Sequence, residues 1–131
     1  MKETFGEFIK KKRIEKNISL RAFSNLIDIS SEYLSKIENG LRAAPNKKVI
    51  EKIAAKLILD DLEKDVLFDL AAESKPYISL ALDLVQYIKE NEMAYKTLRI
   101  TKRYNIKNEE WQEIYEFILK TYINEKEGLS I

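Results

Sequence analysis

Residues 19–40 constrain the fold of this chain more than any other segment, because they predict two short helices joined by a tight turn. Ser19 and Ser30 each precede an apolar, helix-periodic run, where a serine side chain can cap the first turn. Asp28 and Ile29 supply the turn, and Gly40 ends the second helix. Only three glycines and two prolines occur in 131 residues, which favours long helices over many short strands. The sequence therefore predicts an all-α fold.

The apolar spacing predicts five helices before Lys75-Pro76, since the residue before a proline disfavours helix. Thr4 and Glu7 form a capping-box pattern at the first helix, and Asn17 is expected to end it in the left-handed conformation. The positions predicted to face inward are Phe5, Phe8, Ile9, Ile14, Leu20, Phe23, Leu26, Ile27, Leu34, Ile37, Val49, Ile50, Ile53, Ala54, Leu57, Leu62, Val66, Leu67, Leu70 and Ala71. We therefore expect a five-helix domain over residues 1–74.

Three more helices are predicted in residues 75–131, at about 79–90, 92–104 and 108–125. The last has a broad apolar stripe at helical spacing, formed by Trp111, Ile114, Tyr115, Ile118, Leu119, Tyr122 and Ile123. Six of the seven tyrosines lie in this half, and tyrosine is enriched at protein interfaces. Two interpretations stay open: the stripe is the core of a helical hairpin packed on the first domain, or Trp111, Tyr115 and Tyr122 form a dimer or partner surface.

Composition excludes several kinds of chemistry. The chain has no cysteine and no histidine, so disulfides, thiolate catalysis, imidazole catalysis and the usual zinc sites are excluded. No apolar run approaches the ~20 residues that a transmembrane helix needs. The N-terminal residues have no apolar signal core, so a cytoplasmic protein is expected. No pair of carboxylates stands out above the surface charge, which leaves an enzyme as the weakest of the functional classes.

The net charge of +1 hides a marked asymmetry between the two halves of the chain. Residues 1–58 hold 13 Lys/Arg and 7 Asp/Glu, a balance of +6, whereas residues 59–131 hold 10 Lys/Arg and 15 Asp/Glu, a balance of −5. A basic half is suited to a polyanion, and an acidic half is suited to protein contacts or to solubility. The charge distribution therefore indicates two separate roles.

A family resemblance is carried by Arg13 late in helix 1, Ser19-Leu20-Arg21, Ile29-Ser30, the run from Tyr33 to Gly40 (YLSKIENG), and Pro45. In these features residues 4–72 resemble the lambda-repressor-like, or XRE-type, helix-turn-helix family. The resemblance implies that the second helix of the pair enters the major groove of duplex DNA. A weaker resemblance to the tail of one subgroup of small regulators continues through Tyr87-Ile88, Leu98-Arg99 and Glu110-Trp111.

The resemblance places Ser31, Glu32, Tyr33 and Lys36 at the positions that face the DNA bases. Their chemistry suits this role: a lysine can donate to guanine O6 or N7, a glutamate can accept from cytosine N4, and a serine can do either. Tyr33 could contact a thymine methyl group or a phosphate. The alternative is an ordinary solvated helix face.

Phosphate contacts are expected from Arg21, Asn39, Arg42, Lys47 and Lys48. The two lysines open a helix, where the helix dipole prefers an anion. A DNA phosphate docked at that N-terminus would remove the conflict. The lysine run at residues 10–12 is a further candidate, although some of these side chains could simply solvate helix 1.

The resemblance also implies that Arg13 and Glu38 form an internal ion pair. This pair would orient the reading helix, which is the second helix of the pair that enters the major groove. Two positions depart from the family pattern. Leu20 stands where many relatives have a glutamine that contacts the DNA backbone, so that contact is lost. Asp28 stands where a glycine is usual in the turn, and aspartate tolerates the left-handed conformation better than most residues.

From these observations we expect a sequence-specific, dimeric transcriptional repressor that binds a palindromic operator and needs no cofactor, because it acts by occupancy. The alternative is an antitoxin-like autoregulator whose C-terminal half binds a partner protein. Selection of bound DNA from a random pool would distinguish them most directly, since a palindromic consensus reports both DNA binding and two-fold symmetry.

Overall fold

The computed structural model describes residues 2–124, and within that range it contains eight α-helices and no strand. The helices are α1 Phe5–Glu15, α2 Leu20–Leu26, α3 Ser31–Glu38, α4 Lys47–Lys56, α5 Asp61–Glu73, α6 Leu82–Glu90, α7 Glu92–Arg103 and α8 Asn108–Ile118, which continues as a π-helical segment, Leu119–Ile123. The predicted all-α fold is confirmed. The predicted end of helix 8 at residue 125 lies outside the described residues.

The chain divides into two compact units, Met1–Tyr87 and Ile88–Ile131. The first unit contains α1 to α5 and continues beyond the predicted boundary at residue 74, because Ala81 is only 4% exposed and belongs to the core. The hydroxyl of Ser79 also donates to the carbonyl of Ala72 at the end of α5. The predicted division between residues 74 and 75 stays a prediction about which part of the chain binds DNA and which part binds protein. No helix among the described residues is long and apolar enough to cross a membrane.

Each of the first five helices begins at a capping side chain. Ser19, Ser30 and Asn46 each accept a hydrogen bond from the backbone N–H three residues later, at 3.0 Å. Thr4 and Asp60 do the same and also form capping boxes with Glu7 and Glu63. These caps satisfy backbone donors that would otherwise lack a partner in the first turn. Local chemistry therefore fixes where each helix starts.

The core of the first unit lies where α1 and α2 pack against α3, and α4 and α5 pack close by. Gly6 permits the close approach of α1 to the end of α3, because a methyl group there would overlap the carbonyl oxygen of Ile37. The buried apolar residues are Phe5, Phe8, Ile9, Phe23, Ile27, Leu34, Ile37, Ala44, Ile50, Ile53, Ala54, Leu57, Leu67, Phe68, Leu70, Ala71 and Ala81. As a result of this packing, one face of α3 is buried and the opposite face is exposed to solvent.

Four residues predicted to face inward are exposed: Ile14, Leu26, Leu62 and Val66. In α1 the core-facing position one turn after Ile9 is taken by the buried Arg13, which turns its neighbour Ile14 outward. In α5 the buried face runs through Phe68, which the apolar pattern did not single out. A helix with more apolar residues than one face can bury leaves the choice of face to tertiary packing.

Left-handed backbone conformations end or join the helices of the first unit. Asn17 has φ 57° after α1, as predicted, and Asp28 has φ 59° in the turn between α2 and α3. Gly40 has φ 76° after α3. Ile58, after α4, has φ 53° although its side chain is β-branched and 77% exposed. A branched side chain is poorly tolerated in this region, so Ile58 stores backbone strain.

We expect Ile58→Gly to stabilise the protein by about 1 kcal/mol, because glycine adopts the left-handed conformation without the steric cost of a branched side chain. The gain is reduced by the greater freedom of glycine in the unfolded chain. Denaturant unfolding measures the change, and Ile58→Asn should give a smaller gain. A lower unfolding midpoint for both variants would mean that the exposed Ile58 side chain makes a stabilising contact.

Asp69 on α5 has its pKa raised, because burial disfavours its charged form and the carboxylates of Asp83, Asp65 and Glu73 repel it. The folded state therefore binds the proton more tightly than the unfolded chain, whose reference value is 3.8. The free energy of unfolding therefore decreases as the pH rises from the pKa of Asp69 in the unfolded chain to its higher pKa in the folded protein. We expect Asp69→Asn to raise the melting temperature at pH 7 and to lose this advantage below about pH 3.8.

A suitable control is Asp61→Asn, which makes the same chemical change in the first turn of the same helix. There the negative charge of the carboxylate interacts favourably with the helix dipole, so removal of that charge should not stabilise the protein. Equal melting temperatures for Asp69→Asn and the wild type across the whole pH range would contradict the electrostatic argument.

Helices α6, α7 and α8 differ from the first five helices, because they contain no buried residue. Their exposed apolar side chains include Met93, Tyr95, Leu98, Ile100, Tyr104, Tyr115, Phe117, Ile118 and Tyr122. Isolated helices of this length are marginal in water, and most helical stability comes from burying an apolar face. The described part of the second unit therefore has an apolar surface without a core of its own.

Candidate nucleic-acid interface

The α2–turn–α3 segment is held together by side-chain and backbone hydrogen bonds. Ser24 is 1% exposed, and its hydroxyl lies 2.9 Å from the hydroxyl of Ser31 at the start of α3. The same Ser24 hydroxyl donates to the carbonyl of Arg21. The N–H of Ile29 in the turn donates to the carbonyl of Ser24 at 3.1 Å. A small residue at position 24 lets the two helices approach closely, and its hydroxyl links them.

Helix α3 has one buried face and one solvent face. Leu34, Ile37 and Glu38 are buried, whereas the side chains of Glu32 and Lys36 are 80% and 40% exposed. Lys36 Nζ lies 3.2 Å from Glu32 Oε1 as an i,i+4 ion pair. The exposed face therefore presents a donor and an acceptor one turn apart, and both are side-chain types that can form hydrogen bonds with base edges.

The other two predicted base-contacting residues are half-buried. Ser31 shares its hydroxyl with Ser24, and Tyr33 packs against the hydrophobic core. Both residues can still contact a ligand, since the serine hydroxyl has two acceptor lone pairs and part of the tyrosine ring is exposed. Glu32 and Lys36 are nevertheless the more accessible pair.

Arg42 lies beside this helix face. A shallow concave surface is lined by Ser30, Glu32, Tyr33, Lys36 and Arg42. The structure therefore brings three of the four predicted base-contacting residues together with one predicted phosphate-contacting residue. Asn39, at the end of α3, is exposed, and its side-chain amide donates to the hydroxyl of Ser35 at 3.4 Å.

The basic side chains of the first unit fall into two groups. Some are paired with carboxylates: Lys11 with Glu3, Lys12 with Glu63, Lys36 with Glu32, Lys47 with Glu51 and Lys52 with Asp28. Others have exposed side chains without a hydrogen-bond or ion-pair partner among residues 2–124: Lys10, Lys16, Arg21, Arg42, Lys48, Lys56 and Lys64. Unpaired cations carry the larger part of a positive surface potential.

Lys12 has a structural role that the sequence did not single out within the lysine run. Its ammonium binds the carboxylate of Glu63 and so connects α1 to the start of α5. The hydrogen bond from Lys12 lowers the pKa of Glu63, and the same bond raises the pKa of Lys12. Lys11 and Lys12 also lie over the ring of Phe8, each 5.7 Å from its centre. These contacts remove two members of the run from the set of unpaired cations.

Arg13 and Glu38 form a buried, bidentate ion pair. Arg13 Nε donates to Glu38 Oε2 at 2.8 Å, and Arg13 Nη2 donates to Glu38 Oε1 at 2.9 Å. Arg13 Nη1 also donates to the carbonyl of Ile18 at 2.8 Å. The hydrogen bonds to Glu38 raise the pKa of the guanidinium. The pair connects α1 to the last turn of α3, and so fixes the orientation of the exposed Glu32–Lys36 face.

Residues 9–61 match the family model for the helix-turn-helix domain. These residues form a lambda-repressor-like (XRE-type) helix-turn-helix domain. The match covers 53 of the 131 residues, and it supports a DNA-binding role for this part of the chain. No curated protein and no solved structure matches the chain.

The helix-turn-helix domain accounts for one part of the predicted site. The base-contacting, phosphate-contacting and ion-pair residues, from Arg13 to Lys48, all lie within the matched range. Trp111, Tyr115 and Tyr122 lie outside it, on α8 and the π-helical segment that follows. Trp111 is half-buried, and the two tyrosines are 59% and 54% exposed. The family match therefore gives no information about the role of the second unit.

Proposed function

We propose that the protein is a dimeric repressor that binds palindromic operator DNA, with α3 of each copy in a major groove. The observation that carries this proposal is the exposed Glu32–Lys36 pair on α3 with the unpaired Arg42 beside it. Lys36 would donate to guanine and Glu32 would accept from cytosine. Ser31 and Tyr33 would make the shorter-range contacts near the start of the helix. A repressor of this kind acts by occupying the operator.

The phosphate contacts in this proposal flank α3 on the surface of the helix-turn-helix domain. Arg21 lies in the first turn of α2, Asn39 and Arg42 follow α3, and Lys47 and Lys48 open α4. Lys48 has no side-chain partner among the described residues, so it presents a full charge at a helix N-terminus. Lys47 is paired with Glu51 at 2.8 Å, and phosphate would compete with that carboxylate.

Self-association through the second unit is the part of the proposal that gives the operator its symmetry. The unburied apolar residues of α7 and α8 support it, because burial against a second copy would supply the core that these helices lack. Aromatic residues such as Trp111, Tyr115 and Tyr122 are enriched at such interfaces. Two copies would place their reading helices on half-sites about 34 Å apart.

The second candidate function is an antitoxin-like autoregulator, and the same surface favours it. An apolar stripe next to the acidic side chains of α8 could equally bind a small basic partner protein. In that case the helix-turn-helix domain would bind its own promoter. Copurification with the product of a neighbouring gene would support this candidate, and a stable homodimer of the pure protein would favour the repressor.

Selection of bound duplexes from a random pool tests the proposal. A two-fold symmetric consensus is expected for a dimer. A single, asymmetric half-site would contradict the dimer, and no enrichment would contradict sequence-specific binding.

Binding to the selected duplex should depend strongly on salt. If each copy neutralises four to five phosphates, the log–log slope of affinity against salt should be about −7 to −9 for a dimer. We expect Lys36→Ala to relax sequence preference at one base position at a cost of about 1–3 kcal/mol, and Lys48→Ala to weaken all sequences alike. Lys64→Ala, an exposed lysine on α5, is the matched control. A flat salt response would contradict the DNA-binding surface proposed above.

A further inference from the structure

The loop between α3 and α4 has little structure of its own. Its residues 41–46 form neither helix nor strand, yet they lie between the end of the reading helix and the lysines that open α4. Arg42, the unpaired cation beside α3, lies within it. A loop without internal hydrogen bonds would cost conformational entropy to order on DNA. Something outside the loop must therefore hold it if Arg42 is to be preorganised.

Two side chains at the end of α5 hold this loop at Ala44. The N–H of Ala44 donates to Ser74 Oγ at 2.8 Å, and the carbonyl of Ala44 accepts from Lys75 Nζ at 2.7 Å. Among residues 2–124, these are the only hydrogen bonds that the backbone of residues 42–45 makes. Both polar groups of a single peptide residue are therefore bound by adjacent side chains that lie 30 and 31 residues further along the chain.

Ser74 is itself fixed. Its hydroxyl donates to the carbonyl of Ala71 at 2.7 Å, and its N–H donates to the carbonyl of Leu70 at 3.0 Å. The donor capacity of the hydroxyl is therefore used within α5, and its lone pair is directed to Ala44. Ala44 is 4% exposed, so water has little access to replace Ser74. The contact transmits the position of the α5 end to the loop.

We propose that Ser74 and Lys75 are positioning residues for DNA binding, which hold Arg42 beside α3 through the backbone of Ala44. The inference rests on the proposed function, since it assigns Arg42 a phosphate. Neither side chain needs to touch DNA for this role. The contact also links the loop that flanks the reading helix to the residues that immediately precede the C-terminal helices.

Ser74→Ala tests the inference without changing charge. We expect its affinity for the selected duplex to fall about threefold to tenfold, and its salt slope to become shallower by about one per half-site. Arg42→Ala should have a similar effect. The double variant should be no weaker than Arg42→Ala alone, because both changes remove the same preorganised contact.

Ser79→Ala is the matched control, since Ser79 also donates to a carbonyl at the end of α5 but makes no bond to the loop. It should bind DNA as the wild type does. Amide hydrogen exchange of the free protein gives a readout that is independent of DNA: Ser74→Ala should speed exchange at Ala44 and leave Ile50 in α4 protected.

The outcomes separate the two proposals. If the wild type binds no duplex, the proposed function fails and the inference fails with it. If the wild type binds and Ser74→Ala binds equally well, only the positioning role is overturned. Additive losses in the Ser74→Ala/Arg42→Ala double variant would also overturn it, because they would mean that Ser74 acts independently of Arg42.

Discussion

Arg13→Ala is expected to destabilise the first unit by about 3–5 kcal/mol, because it leaves the buried carboxylate of Glu38 without its partner. The side chains of the pair are only 9% and 4% exposed, so water cannot solvate the remaining charge. The substitution also removes the hydrogen bond to the carbonyl of Ile18. Denaturant unfolding of the full chain measures the loss. A helix-turn-helix domain at the lower end of the ordinary stability range, about 5 kcal/mol, would be largely unfolded on mild heating.

Two further variants separate the contribution of this pair from a general loss of charge. Lys11→Ala removes an exposed cation of the same helix whose partner is Glu3, and it should cost no more than about 1 kcal/mol. Replacing both partners, as Arg13→Met with Glu38→Leu, should recover part of the loss because no buried charge is left unpaired. If Arg13→Ala kept the wild-type unfolding midpoint and lost DNA binding, Arg13 would be a DNA contact.

The helix-turn-helix domain could be predicted from sequence because its signals are local. A serine before an apolar run caps a helix, and a glycine, asparagine or aspartate accepts the left-handed backbone that ends one. Ser19, Ser30, Asn17 and Gly40 act in this way, and each is recognised within a few residues of its effect. The all-α class and the helix–turn–helix order follow directly.

The details that the sequence did not predict depend on contacts between distant residues. The apolar pattern alone cannot tell that Arg13 occupies a core-facing position, because the reason is a glutamate 25 residues away, and only the family resemblance implied this ion pair. The contacts of Ser74 and Lys75 with Ala44 have no local signature for the same reason. Ile58 is the opposite case, since its branched side chain gives no indication of the left-handed backbone that it adopts. Tertiary packing overrides local preference at these positions.

Removing the second unit should have the largest effect on function. We expect a fragment that ends at Glu90 to stay folded and to sediment as a monomer. Its affinity for the operator should be about 10²–10⁴-fold weaker than that of the full chain, because one helix-turn-helix domain then binds in place of two linked ones. The fragment has to extend beyond residue 74, since Ala81 belongs to the core of the first unit and Lys75 holds Ala44. Sedimentation and duplex titration at fixed salt measure both effects.

Charge explains why the interface between the two copies is expected in the C-terminal half. Residues 1–58 have a balance of +6, so two such surfaces would repel each other in the absence of DNA and must remain free to face phosphates. In the full chain, Tyr115→Ala should weaken self-association, whereas Glu109→Ala, which alters an exposed acidic residue of the same helix, should not. If the fragment sediments as a dimer, the interface lies in the first unit, and the apolar surface of α7 and α8 is better explained as a binding site for another protein.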